Sequence, residues 1–254
     1  MFKEEFTLAA NSASAKYGFL KKNPAGYCLM SMLAGIFVGF GVLLVFTISG
    51  QLAGAPYTKP LMGAFFSVAL SLVIMAGAEL FTGNNFVMTA GILRGTVSVG
   101  GTLRLWLICW IFNLAGSALL AIVFSLTGLY SGATLEAMTQ AAELKMTAGF
   151  IPLLTRGMLC NTLVCLAVWC GFRAKSDAGK LIMVFWCIVA FFTTGFEHSI
   201  ANMTLLTLAM INNGGNEAIT AGGYCFNLLT VTLGNMIGAV LFVTLPYYFA
   251  SREQ

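Results

Sequence analysis

The stretch Gly195-Phe196-Glu197-His198-Ser199-Ile200-Ala201-Asn202 interrupts an apolar run that extends from Leu181 to Ile211. It carries the single histidine of the chain, beside a carboxylate, a hydroxyl and a carboxamide. An acid at the centre of a membrane helix costs roughly 2.5–3.5 kcal/mol on insertion scales, so such groups face a cavity or a partner and mark a pathway. The first half of the chain holds an echo, Gly77-Ala78-Glu79-Leu80-Phe81-Thr82-Gly83-Asn84. Both stretches read G-x-E-x-x-x-x-N, and both interrupt an apolar segment. The chain is built twice.

Working outward, 59% of the residues are hydrophobic and only 9% are charged. An ordinary soluble domain has about 25% charged residues, so that class is excluded. Mean hydropathy is +0.89. Apolar runs of about 20 residues recur, which predicts a polytopic all-α membrane protein rather than a barrel of short alternating segments. Met1–Lys22 has acids near its start and no long apolar core, so it does not read as a cleavable signal peptide. Its Phe2, Phe6, Ala9, Ala13, Tyr17 and Leu20 fall at helical spacing, predicting an amphipathic helix at the membrane surface over residues 1–22. The alternative is a frayed tail.

Six spans are predicted, at 25–49, 61–93, 105–128, 150–172, 181–211 and 223–249. The second and fifth are too long for one crossing of a core about 30 Å thick, at about 1.5 Å per residue. Breaking each into two half-helices resolves the excess length and the polar insertions together. Gly77, Gly83 and Gly195 are the candidates for the backbone angles such breaks need. Irregular backbone at that depth is tolerated only inside protein or along a cavity. Asn113-x-x-Gly116 and Asn235-x-x-Gly238 repeat the duplication in spans three and six. Three spans per half place the second half upside down, so residues 25–128 and 150–249 form a 3+3 inverted repeat within one domain, with the substrate path where the broken helices meet. Gly35-x-x-x-Gly39 and Gly234-x-x-x-Gly238 offer small-residue faces for close helix contact. Ten of the thirteen lysines and arginines fall on the side of the N-terminus, which predicts both termini in the cytoplasm.

His198 is the one side chain here that titrates near neutral pH without help, and a pore-facing role is favoured over a dry helix contact. Glu79 and Glu197 occupy matching positions and are read as acceptors for backbone N–H groups freed at the breaks, with proton relay as the lesser reading. Thr82 matches Ile200 in the repeat, so its hydroxyl breaks the symmetry and can face His198. Phe65, Phe66, Leu70, Leu80, Phe81, Phe191 and Phe192 surround these groups, and apolar rings flanking a small polar centre make a dewetted filter. One histidine cannot build a haem or zinc site, and the seven cysteines show no ligand spacing and are read as buried and inert. No cofactor, metal or nucleic-acid partner is expected, and the chain is not expected to be an enzyme. A membrane redox subunit lacks its ligands, and a water or polyol pore would show Asn-Pro-Ala at both breaks, neither of which contains proline.

Leu80-Phe81-Thr82-Gly83-Asn84, Gly195 through Met203, and Asn227-Leu228-Leu229-Thr230-Val231-Thr232-Leu233-Gly234-Asn235 together resemble the formate/nitrite transporter family over essentially the whole chain. Met203-Thr204-Leu205 looks most like its nitrite-channel branch, while Ala78 and Asn84-Asn85 depart from that branch's common wording. The resemblance implies an aquaporin-like fold in a bacterial inner membrane, assembled as a homopentamer with one pore per protomer. It implies a small monovalent anion as substrate: nitrite first, with formate and hydrosulfide as alternatives. It places Phe66, Leu80 and Phe191 at an outer constriction and Leu70, Phe81, Asn161 and Val164 at an inner one. Thr82 and His198 then lie between them as hydrogen-bond partners of the substrate. Lys145 resembles a vestibule lysine that attracts the anion, though on the residues alone a solvated loop charge is an equal reading. Glu197, Glu79 and Asn202 are supporting residues.

Overall fold

A computed structural model describes residues 2–52 and 54–252, and these are helical almost throughout. Helix α1 is Lys3–Lys22, α2 Pro24–Gln51, α3 Thr58–Leu72 and α4 Phe81–Leu93. They are followed by α5 Val99–Leu126, α6 Gly132–Met146 and α7 Phe150–Arg173. The chain ends in α8 Asp177–Thr194, α9 Ser199–Ile211, α10 Ala221–Ala239 and α11 Leu245–Ala250. Six helical stretches among the described residues are long and apolar enough to cross a bilayer. This is a multi-pass membrane protein.

Both predicted breaks exist. Span two runs as α3 through a wide π turn, Val73–Gly77, then passes through extended Ala78 and Leu80 before α4 begins. Span five stops at Gly195 in the left-handed region (φ 84°), and α9 restarts after extended His198. Gly77 has φ 81°, so each break turns on one glycine that can adopt a conformation other residues resist. Gly83 does not share that role. It lies inside the first turn of α4, where the backbone is ordinary helix.

The half-helices α4 and α9 form the centre of the molecule. Every residue of α4 from Phe81 to Gly91 is buried, and residues 199–209 of α9 are buried on nearly all sides. A helix buried all round belongs to the interior of a bundle. Around them, α2 meets α5 and α7 meets α10 at very short range. A Cβ on Gly35 would strike the Asn113 carbonyl, and one on Gly116 the Met32 carbonyl. In the other half a Cβ on Gly234 would strike Leu154 O, and one on Gly238 Met158 O. Gly39 instead packs on Leu120 and Thr204. The small-residue faces are therefore real contacts.

Two features of the helix pattern differ from the sequence expectations. Residues 132–146, which lie between predicted spans three and four, form α6. The last span is not one continuous α-helix: a π turn at Val240–Thr244 precedes α11. Pro246 explains it, since proline has no N–H to donate back to Phe242 and its ring crowds that carbonyl. Residues 3–22 are neither frayed nor loosely attached. Phe6, Ala9, Ala13 and Leu20 are buried, Phe6 meets Phe86 and Tyr248 edge-on or tilted, and Thr96 Oγ1 donates to Ala10 O at 2.7 Å. Phe6 of α1 meets Tyr248 of α11, and Arg94 lies over both rings, so α1 and the end of α11 share one face of the molecule. Of the cysteines, Cys109, Cys160, Cys165 and Cys187 are buried as expected, but Cys225 is exposed on α10.

Candidate functional site

The breaks are held by a wiring that occurs twice. Asn113 Oδ1 accepts from Phe81 N at 3.0 Å, while its Nδ2 donates to Ser31 O at 2.7 Å and Glu79 O at 2.9 Å. Asn235 Oδ1 accepts from Ser199 N at 3.0 Å, while its Nδ2 donates to Gly157 O at 2.8 Å and Glu197 O at 3.0 Å. A helix start leaves backbone groups without partners, and burial makes that costly. One asparagine per half answers it with both ends of its carboxamide.

The two glutamates therefore do a different job from the one expected. Glu79 Oε1 and Oε2 accept from Lys16 Nζ at 2.7 and 2.8 Å, and Oε2 also from Asn84 Nδ2 at 2.9 Å. Glu197 Oε1 and Oε2 accept from Lys145 Nζ at 2.8 and 2.7 Å, and Oε2 also from Asn202 Nδ2 at 2.7 Å. The carboxylates are clamped by an ammonium and a carboxamide, because Asn113 and Asn235 already meet the freed backbone. Lys16 is a site residue that nothing in the sequence around it signals. It lies 63 positions from Glu79, and only the docking of α1 brings them together.

Three cavities lie in series between these clamps. At the face shared by α1 and α11, a cavity of about 690 Å³ is lined by Lys16, Glu79, Asn84, Leu70, Leu80 and Lys180 among others. At the opposite face, one of about 270 Å³ is lined by Lys59, Lys145, Arg156, Glu197, Phe66 and Phe191, and reaches His198. Between them is a void of about 10 Å³, walled by Val38, Phe66, Ala69, Leu70, Leu80, Val164, Ile188 and Phe191. It shares Leu70 and Leu80 with one neighbour, and Phe66 and Phe191 with the other. His198 is the one polar residue in its wall. A single water needs about 10–15 Å³ and two to four polar partners, so this neck is dry or nearly so.

His198 Nε2 lies 3.1 Å from Thr82 Oγ1, linking the two breaks at their centre. Its Nδ1 accepts from Ala201 N at 3.1 Å, so the imidazole is also the N-cap of α9. Phe191 stacks on the ring at 6.0 Å between centroids. Leu80, expected with Phe66 and Phe191, lines the neck together with Leu70 on the side of α1. Val164 lines the neck as well. Thr82, Phe81 and Asn161 stand outside the lining of all three cavities, and Thr82 meets the path only through His198. Phe81 packs edge-on against Trp106, and Asn161 Nδ2 bonds Thr82 O at 3.2 Å and Asn235 O at 2.9 Å. Both brace the site from behind. Lys145 does line the cavity opposite α1, but its charge is engaged by Glu197, whereas Lys59 and Arg156 have no carboxylate partner among the described residues.

Residues 3–249 match the sequence profile of the formate/nitrite transporter family. The nitrite transporter NirC of Escherichia coli (strain K12) is 40% identical over an alignment covering 100% of this chain and 94% of that protein. A solved FNT family ion channel superposes with a TM-score of 0.93 at 37% identity, covering 98% of this chain and 99% of that one. A pentameric formate channel with formate bound superposes with a TM-score of 0.80 at 28% identity, covering 91% and 98%. With two glycine-hinged breaks meeting at a lone imidazole, and a profile match over nearly its full length, this chain belongs to the formate/nitrite transporter family.

Proposed function

We propose that the protein is a channel for small monovalent anions, nitrite first, with His198 and Thr82 as the polar contacts at its midpoint. The observation that carries this is the neck: a void of about 10 Å³ with apolar walls and one imidazole, between two cavities bearing cations. A hydrated anion cannot enter such a space, and stripping its water costs many kcal/mol unless its charge is met or neutralised. A central donor meets that need by hydrogen bonding or by lending a proton. Phe66 and Phe191 narrow the path on one side of His198, and Leu70, Leu80 and Val164 on the other. The full-length similarity to a nitrite transporter supports nitrite over its relatives.

The working unit is a homopentamer with one path per protomer, a reading supported by the pentameric formate channel that superposes on this chain. Residues 25–128 and 150–249 are the two inverted repeats of a single channel domain, and α1 is an interfacial helix packed on it. The excess of lysine and arginine on the α1 face supports a bacterial cytoplasmic membrane with both termini inside. Formate is the second reading, favoured by that same superposition with a formate-bound channel. The test is flux in proteoliposomes with nitrite, formate, hydrosulfide and water offered separately. Nitrite fastest supports the proposal, formate fastest reassigns the substrate, and water alone crossing overturns the anion channel.

A further inference from the structure

We infer that the contact between Gly41 of α2 and Ala69 of α3 sets the bore of the neck, and with it the largest anion that crosses. Ions the size of nitrite or formate pass ahead of carboxylates that carry one carbon more. This rests on the anion path proposed above and assigns what decides its width.

Valines, leucines, an isoleucine, two phenylalanines and His198 wall the neck, and Ala69 has the smallest side chain among them. It is buried, with α2 against it. A Cβ on Gly41 would lie 2.8 Å from Ala69 Cβ, and 3.1 and 3.2 Å from Cε2 and Cδ2 of Phe66. Carbons pack best at about 3.5–4.0 Å, so neither contact would be tolerated as it stands. Gly41 itself lines none of the three cavities. Its missing carbon lets two wall residues sit back from the path. Phe66 is enclosed on its other sides as well, meeting Phe191 at 6.1 Å and Phe192 at 4.9 Å between centroids. The other half lacks this recess. Val38 and Val164 both wall the neck, and three positions further on α2 has Gly41 where α7 has Ala167.

Helix α2 cannot back away to make room. Residues two apart on a helix point roughly 200° from one another, so Gly39 faces the opposite way, where it presses on Leu120 and Thr204. A carbon added at Gly41 therefore drives Ala69 and Phe66 toward the path. The neck holds about 10 Å³. A methyl group is close to a water in size, and a water's share of the liquid is about 30 Å³. One carbon gained or lost at the wall is thus a larger change than the whole resting void, and a close-packed interior registers even that much. A carbon removed at Ala69 leaves a recess that the methyl group of an ion can occupy. Nitrite and acetate are both monovalent and both meet the same His198, so width rather than charge separates them.

The test is flux of nitrite and of acetate in proteoliposomes carrying the full-length wild type, Ala69→Gly, Gly41→Ala, or both substitutions together, each checked for assembly by size. Ala69→Gly should raise the acetate-to-nitrite flux ratio by at least about threefold. Gly41→Ala should lower nitrite flux by at least about tenfold. The double variant moves one carbon from α3 to α2, and should recover nitrite flux to within about threefold of wild type. A merely structural role would leave the ratio unmoved and give the double variant the sum of two defects. An unchanged ratio in Ala69→Gly, or no recovery in the double variant, overturns the inference. If Gly41→Ala alone does not assemble, the ratio in Ala69→Gly still decides. Absent wild-type flux of both ions defeats the channel reading, whereas wild-type flux with an unmoved ratio in Ala69→Gly defeats only the role of this contact.

Discussion

Glu79 and Glu197 occupy matching breaks and make matching bonds, yet their lysines are fastened differently. Beyond Glu197, Asn202 Nδ2 also donates to Asn227 Oδ1 at 2.9 Å, and Asn227 Nδ2 returns to Lys145 O at 2.9 Å. Lys145 is thus gripped by its ammonium and by its own backbone. On the α1 side, Asn84 Nδ2 turns to the phenol oxygen of Tyr27 at 3.3 Å, and Lys16 is held through its ammonium. The carboxylate side chains differ in the same sense, Glu197 being 5% exposed and Glu79 12%. The same clamp occurs at both breaks, and the surroundings make one of them tighter. The α6 end is built as a fixed mouth, and the α1 end depends on a helix docked by side chains.

The largest effects should come from what the two halves share. Asn113→Ala strands Phe81 N and Glu79 O, and Asn235→Ala strands Ser199 N and Glu197 O, at about 1–3 kcal/mol per buried group, so each variant should lose about 2–6 kcal/mol. Thermal unfolding in detergent should show comparable drops in Tm for both. A large drop in only one would mean the wiring is not equivalent. Next come the clamps, where the halves should part. Removing one partner of a buried ion pair costs about 3–5 kcal/mol and much less at the surface. With partial exposure, about 3 kcal/mol is expected for Lys145→Met and about half that for Lys16→Met. The reverse order in Tm would contradict the tighter clamp at the α6 end.

Smaller again are the hinges. Gly77→Ala and Gly195→Ala each force a Cβ into the left-handed region, at about 1–2 kcal/mol. Gly195→Ala should cost slightly more, because its Cβ would meet Lys59 Nζ at 3.3 Å while that of Gly77 meets nothing. Equal stability of Gly77→Ala and wild type would remove the hinge role. The smallest effect concerns charge. With Lys145 engaged by Glu197, Lys59 and Arg156 are the cations of that cavity with no carboxylate partner among the described residues, so Lys59→Glu should slow nitrite entry roughly threefold at low salt and hardly at all at high salt. Equal slowing at both would show that Lys59 acts by packing rather than by attraction.

Much of this design can be read from residue order, because a bilayer leaves few options for a 31-residue apolar run holding Glu197 and His198. Six spans, two breaks and the Thr82–His198 pair all follow from that constraint and from the echo between the halves. The parts that could not be read depend on contacts distant in sequence. Asn113 and Asn235 were visible as a repeated pair, but nothing local shows that each spans a break with its carboxamide. Lys16 gains its meaning only when α1 folds onto the bundle. Helix α6 was missed because 132–146 is too polar for a span, although Ala137, Ala141, Ala142, Glu143, Leu144 and Lys145 are good helix formers and could have signalled it. Gly83 was misjudged because a glycine near a break resembles a hinge until the backbone angles are known.

The central claim is that a small anion crosses at the meeting point of the two breaks, in contact with His198. Nitrite flux into proteoliposomes carrying wild type or His198→Ala, with assembly of both checked by size, tests it most directly. The account predicts saturable wild-type flux that falls at least tenfold in the variant, about 1.4 kcal/mol or more of lost stabilisation. Equal flux through two intact assemblies would place the path elsewhere.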